Sequence, residues 1–231
     1  MKSTSPQAAE TKRRILSVAR ELIQETGDFD LPMRKLASRA QVSLRTPYAL
    51  FGSKTGLIGS ILTEDQIKFR EMTAKLHSSD ELENILDRIE IGTEVFARNQ
   101  PFYRALYRAT QAYTPGHDEE PARESIRGFQ ILCGRARRAG LIRPDIDTML
   151  LGDTLTDIFA SNVRTWARDS LDIHLVRLKI SFGFVIVLAG VASEPAAARM
   201  RAHILEFQQA IESFNSAATG DDHNTALKAN H

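Results

Sequence analysis

The sequence predicts an all-α protein: a small N-terminal head of three helices followed by a larger helical body. Three observations carry that expectation. Apolar residues recur at gaps of three and four along most of the chain, and no stretch alternates in the manner of a half-buried strand. Gly, Pro and polar clusters cut the 231 residues into helix-length pieces. With 42% hydrophobic and 26% charged residues, the chain has enough apolar material for a core and lacks the composition of a disordered one.

The first helix is expected from Thr11, read as a cap, to the natural stop at Gly27, with Ile15, Leu16, Ala19, Leu22 and Ile23 on its inner face. A second helix starts near Pro32, since proline suits a first turn whose N–H has no partner, and Met33, Leu36, Ala37 and Ala40 form its inner stripe. Gln41-Val42-Ser43 is a tight turn, and Ser43 is a fitting N-cap for a short third helix, Leu44 to Leu50. Phe51-Gly52 closes that helix, and Ser53 or Lys54 opens a fourth that runs to about Leu76. Two helices joined by a three-residue turn, after a first that supports them, form a helix-turn-helix layout.

The body continues the pattern. Leu82, Ile85, Leu86, Ile89 and Phe96 share one helical face, and Ile126, Phe129, Leu132, Cys133 and Ala136 share another. Pro101, Pro115, Pro121 and Pro144 are expected between helices. Three more helices follow at about 145–169, 171–192 and 194–215, the last with Met200, Ile204, Phe207, Ile211 and Phe214 on one face. The expected organisation is a head at 9–69 with its motif at about 32–51, a body at 70–215, and a flexible polar tail at 216–231.

Composition narrows the function classes. A single cysteine, Cys133, cannot form an intramolecular disulfide. Met1 to Glu10 contains no apolar run of the secretory kind, and the longest uncharged run, Ile180 to Ser193, has 14 residues, short of a membrane span. The expectation is a soluble cytoplasmic protein with no membrane partner. The net charge is only +1, yet residues 1–60 hold ten Lys/Arg against five Asp/Glu, a net +5, so the other 171 residues carry −4. Residues 31–60 contain Arg34, Lys35, Arg39, Arg45 and Lys54 and no acid at all. A basic head on an acidic body is the footprint of a polyanion-binding surface, although a charge run by itself is as often a solvated face.

The segment Thr11 to Ile61 resembles the DNA-binding domain of the TetR family of bacterial transcriptional regulators. The residues that carry the resemblance are Ile15-Leu16, Ala19, Leu22 and Gly27; Met33-Arg34, Leu36-Ala37 and Ala40; then Val42-Ser43, Thr46, Tyr48, Phe51, Ser53-Lys54 and Leu57. The ending Tyr48-Ala49-Leu50-Phe51-Gly52-Ser53-Lys54 is its most specific part, similar to the family's Tyr-x-x-Phe-x-Ser-Lys signature. Gln41, Arg45 and Pro47 depart from the family pattern, which usually has Gly, often Gly, and an aliphatic residue there.

The resemblance implies double-stranded operator DNA as partner, met by the third helix in the major groove. Ser43, Leu44, Arg45, Thr46 and Tyr48 are the candidates on that helix, with Arg45 able to fork onto a guanine edge. Ser53 and Lys54 at the start of the fourth helix, and Arg34 on the second, are candidates for phosphate, because donors and a helix N-terminus favour an anion. Val42, Leu36 and Phe51 belong to the core. A palindromic operator needs a two-fold protein, so a homodimer is expected. The helix containing Phe182, Val185, Ile186 and Ala189 is apolar nearly all round and is the candidate interface, with 146–169 and 171–192 implied as a four-helix bundle across the two-fold.

A small-molecule site is the weaker expectation. Phe96, Phe102, Tyr103, Tyr107 and Tyr113 place five aromatics in 18 residues, though such clusters are more often plain core. Phe96, Tyr103, Tyr107, Phe129, Phe159, Asn162 and Trp166 are the candidate pocket, suited to an apolar or aromatic ligand with one or two polar groups. Ligand binding would release the DNA, giving a repressor. Enzyme chemistry is not expected: Gly52-Ser53-Lys54-Thr55 fails as a phosphate loop, no nucleophile or zinc-protease motif occurs, and the six histidines lack metal-ligand spacing. Neither cofactor nor metal is expected. The rival reading is a DNA-binding factor of the same fold with no inducer, acting architecturally or through a protein partner.

Overall fold

The computed structural model describes residues 6–27, 31–74, 80–112, 120–169 and 171–228, with side chains given except over 109–126 and beyond 217. Ten α-helices occur among these residues: α1 Pro6–Thr26, α2 Met33–Arg39, α3 Arg45–Phe51, α4 Lys54–Thr73, α5 Glu81–Arg98, α6 Gln100–Ala112, α7 Glu120–Arg138, α8 Thr148–Asp169, α9 Ile173–Val191 and α10 Ala196–Lys228. The one β-type contact among them is an isolated bridge between Ile142 and Ala192.

Several boundaries move from their expected places for local reasons. Thr11 lies inside α1, where its hydroxyl donates to the Gln7 carbonyl at 2.9 Å instead of capping an end. Pro101 and Pro121 sit in the first turns of α6 and α7 rather than between helices, where their missing N–H groups cost nothing. Asp147 accepts from the Met149 N–H at 2.8 Å, which starts α8 at Thr148 rather than Asp145. The final helix continues past Asn215 to Lys228.

The helices fall into two compact units: Met1–Lys75 with Val95–Ser125, and Leu76–Glu94 with Ile126–His231. In the first unit the apolar stripe of α1 meets Leu36 of α2, Ala40 just past the end of α2, and Leu57 and Ile61 of α4. Phe102, Ala105 and Leu106 of α6 join the same cluster, so part of the expected body belongs with the head. Each such large apolar side chain contributes roughly 1.5–3 kcal/mol when fully buried.

In the second unit α9 packs against both α8 and α10. It buries Ile173, Leu175, Val176, Ile180, Ser181, Phe184, Val185 and Leu188. By length and composition α9 is apolar enough to cross a membrane. The 14-residue count in the sequence missed this because it stopped at Lys179, inside the helix. Phe129 of α7 packs edge-on to Phe184, ring centroids 5.2 Å apart, with the Arg88 guanidinium of α5 over its face. Cys133 is buried beside it in sequence, and burial pushes its thiol up to about 12, an inert thiol.

Candidate nucleic-acid interface

The turn between α2 and α3 is set by backbone bonding. The Gln41 N–H donates to the Ser38 carbonyl and the Val42 N–H to the Ala37 carbonyl, at 3.1 and 3.0 Å. That double closure needs a left-handed residue at its centre, and Gln41 supplies it at φ 52°. Arg14 of α1 reaches across and donates from Nε to the Ala40 carbonyl at 2.9 Å, tying the first helix to the turn. The sequence offers no signal for that contact, since Arg14 looks like any other surface cation.

The third helix begins one residue later than Ser43 would make it as a cap. Leu44 is the N-cap residue, and Ser43 instead pairs its hydroxyl with that of Thr46 at 2.9 Å. Pro47 is therefore the third helical residue, and its missing N–H is one that has no partner in any helix. It is tolerated without loss, and its ring is buried.

Gly52 ends α3 at φ 73°, and Ser53 caps α4 by accepting from the Gly56 N–H at 3.0 Å. A Cβ on Gly56 would overlap the Phe51 carbonyl oxygen, so Gly56 is what lets the start of α4 pass close beneath the end of α3. Sequence reading missed Gly56, although the second glycine in Gly52-Ser53-Lys54-Thr55-Gly56 was the available signal.

The outcome is a short, outward-facing α3. Leu44 and Tyr48 are large apolar residues left 42% and 45% exposed, and Ser43, Arg45 and Ala49 are exposed beside them. Thr46 and Lys54 are half-buried, and Ser53 and Arg34 are exposed. Of the five cations in 31–60, two are turned aside: Arg39 and Lys35 pair with Glu25 of α1 at 2.6 and 3.8 Å. The Arg39 hydrogen bond holds the Glu25 carboxyl below its ordinary range. Arg34 and Arg45 make no ion pair with any described residue.

The other candidate residues divide between the units. In the first, Phe96, Tyr103 and Tyr107 form a ring cluster, with Phe96 centroids 5.1 Å from Tyr103 and 5.4 Å from Tyr107. Burial, then the Asp65 carboxylate, push both phenols upward, so both remain protonated donors. In the second unit lie Phe129, Phe159, Asn162 and Trp166. Phe129 and Phe159 centroids are 6.2 Å apart, Trp166 is fully buried, and the Asn162 amide donates to the Ile158 carbonyl of its own helix at 2.9 Å. One N–H of the Asn162 amide is thus engaged within its own helix. Tyr113 lies outside the described residues.

On α9, Val185 is 0% exposed and packs within its own chain, which corrects its expected place in an interface. Ile186 is 46% exposed, and Phe182 and Ala189 are half-buried on the same side. No group of His, Cys, Asp and Glu with metal-binding geometry occurs among the described residues.

Residues 15–61 match the family model for bacterial regulatory proteins of the tetR family. The HTH-type transcriptional regulator UidR of Escherichia coli (strain K12) is 28% identical over 168 residues, covering 68% of this chain and 82% of that protein. Among solved structures, a TetR-family transcriptional regulator from Pectobacterium atrosepticum superposes with a TM-score of 0.69 at 20% identity, over 84% of this chain and 100% of that one. Thermus thermophilus FadR, a TetR-family repressor solved with lauroyl-CoA, gives 0.66 at 19% identity, over 80% and 98%.

Proposed function

We propose that this chain is a homodimeric repressor of the TetR type of bacterial transcriptional regulator, one that leaves its operator when a small molecule binds. The observation that carries the DNA reading is the exposed face of α3, where Ser43, Leu44, Arg45 and Tyr48 stand clear with no carboxylate among them. The α4 N-terminus beside it carries Ser53 and Lys54, an arrangement that favours a phosphate through the helix dipole and a side-chain cation. Arg45 would read a base edge, and Arg34, Tyr48 and Lys54 would fix the register on the backbone.

Repression, the two-fold and the small-molecule trigger are supported by the family and by the build of the second unit. In the dimer reading, α8 and α9 of each protomer form a bundle, with Ile186, Phe182 and Ala189 facing the partner. Exposed Met149 and Leu150 at the start of α8 are further apolar surface in the same unit. Such a protein works in the cytoplasm, where its DNA is. The solved relative holding an acyl-CoA supports a ligand-responsive reading here.

Fluorescence anisotropy on duplexes drawn from the DNA flanking its own coding sequence tests the DNA reading. One palindromic duplex is expected to bind far above a scrambled one. Lys54→Ala would weaken both and lower the salt slope by about 1 per lost contact per head. Arg45→Ala would narrow the gap between the two duplexes. Equal losses on both for Arg45→Ala would show that Arg45 does not read bases, and equal wild-type affinity for all sequences would end the operator reading.

A further inference from the structure

The first unit contains a cavity of about 220 Å³ between α1, α4, the C-terminal end of α5 and the start of α6. Its polar side is a tied network. The Arg20 guanidinium of α1 meets Asp65 of α4 at 2.7 Å and Glu64 at 3.4 Å, and donates to the Ile61 carbonyl at 3.2 Å. The Tyr103 hydroxyl of α6 donates to the same Asp65 at 3.3 Å. Arg20 also lies over the Phe102 ring, 5.4 Å from its centroid. These groups satisfy one another. They hold three helices together but leave Arg20 little charge to offer a newcomer.

The remaining lining is of two kinds. Phe69 and Met72 of α4, Val95 of α5 and Phe102 of α6 are apolar. Lys68 and Arg98 are exposed cations that line the cavity from α4 and α5, so they belong to its mouth. An apolar slot with aromatic walls and cations at its opening is complementary to a small apolar body carrying one negative group. A cavity of this size takes one ring with a short arm.

We propose that this cavity binds a small aromatic monocarboxylate, its ring against Phe69, Met72 and Phe102 and its carboxylate at the mouth beside Lys68. The consequence for DNA rests on the release reading above; the binding itself does not. α4 connects the two ends: its residues Asp65 to Met72 wall the cavity, and its capped start presents Ser53 and Lys54. An occupant bound more tightly in the DNA-free arrangement of α4 lowers operator affinity by that ratio.

Phenylacetate and its uncharged isostere phenylacetamide, titrated into the full chain by calorimetry, test the site. Saturable binding of the acid is expected, about tenfold or more tighter than the amide. Lys68→Glu, at an exposed position, is expected to remove or reverse that preference. Met72→Trp fills the slot and is expected to abolish binding of both. Equal binding of acid and amide, an unchanged preference in Lys68→Glu, unchanged affinity in a folded Met72→Trp, or no saturable binding at millimolar concentration would each overturn the proposal. Operator anisotropy separates the two readings. Acid binding with these variant effects but unaltered operator affinity keeps the site and removes the release. Release by some other compound that survives both variants keeps the release and places its trigger outside this cavity, while the acid titration alone decides whether the cavity binds.

Discussion

Gln41 occupies a left-handed position, φ 52°, that a helix C-terminus of this kind normally gives to glycine. A residue with a Cβ there costs about 1–2 kcal/mol, partly offset because glycine has more freedom to lose on folding. Gln41→Gly is therefore expected to raise the urea midpoint slightly, and Gln41→Val, β-branched, to lower the unfolding free energy by about 1 kcal/mol or more. A Gln41→Val protein as stable as the parent would show that the turn relaxes away from φ > 0. His203 of α10 is a second single-residue case. Burial lowers its pKa, but hydrogen bonds with Glu206 at 2.8 Å and Glu83 at 3.2 Å outweigh that and raise it above 6.5. A raised folded value means stability that is fully present below the unfolded pKa and is lost as pH rises through the folded one. From about pH 6 to about pH 8, wild-type stability is expected to fall more than that of His203→Gln, by denaturant titration at each pH. Parallel curves would remove the histidine from the pH response.

At the scale of elements, closeness of approach decides what a helix can carry. A Cβ on Gly152 of α8 would lie 2.6 Å from the Gln130 backbone nitrogen and 2.7 Å from its Cα on α7. Backbone cannot swing aside as a side-chain tip can, so Gly152→Ala must push the two helices apart. We expect it to destabilise the protein by about 1–3 kcal/mol with the helical content kept, measured by circular dichroism during urea unfolding. Gly59→Ala, at a helical glycine with no neighbour within 4 Å of the added Cβ, is the control and is expected to be neutral or stabilising. Equal effects of the two would show that α7 and α8 are not in backbone contact. α3 shows the same rule in reverse. Pro47 is harmless because α3 starts at Arg45, and the one-residue shift in the cap decides that.

For the whole molecule, the proposed two-fold is tested by where a charge is placed on α9. Val185 is sealed inside its own protomer, so Val185→Glu is expected to unfold the chain and says nothing of assembly. Ile186, one residue on and 46% exposed, tolerates a charge in a lone chain. In a two-fold interface Ile186→Glu would set two like charges against each other. A folded monomer by light scattering, with operator affinity falling by well over tenfold, is expected, since each half-site would then bind alone. An unchanged dimer mass would take that face of α9 out of the interface.

The sequence by itself determined the helical class and the resemblance of residues 15–61 to the tetR family model, because those depend on residues close together in the chain. Tyr48 to Lys54 fixes a helix end, a left-handed glycine and a capped start within seven positions, and the spacing of Ile15, Leu16, Ala19, Leu22 and Ile23 needs only the helical period. What only the tertiary structure decided depends on residues far apart. Arg20 meets Asp65 across 45 positions and Asp65 meets Tyr103 across 38, so nothing local announces that α6 packs with the head or that a cavity opens beside them. Val185 and Ile186 are equally apolar neighbours in the sequence, yet one is core and the other surface. On a helix apolar all round, the period marks no preferred face, and only packing against α8 and α10 selects one.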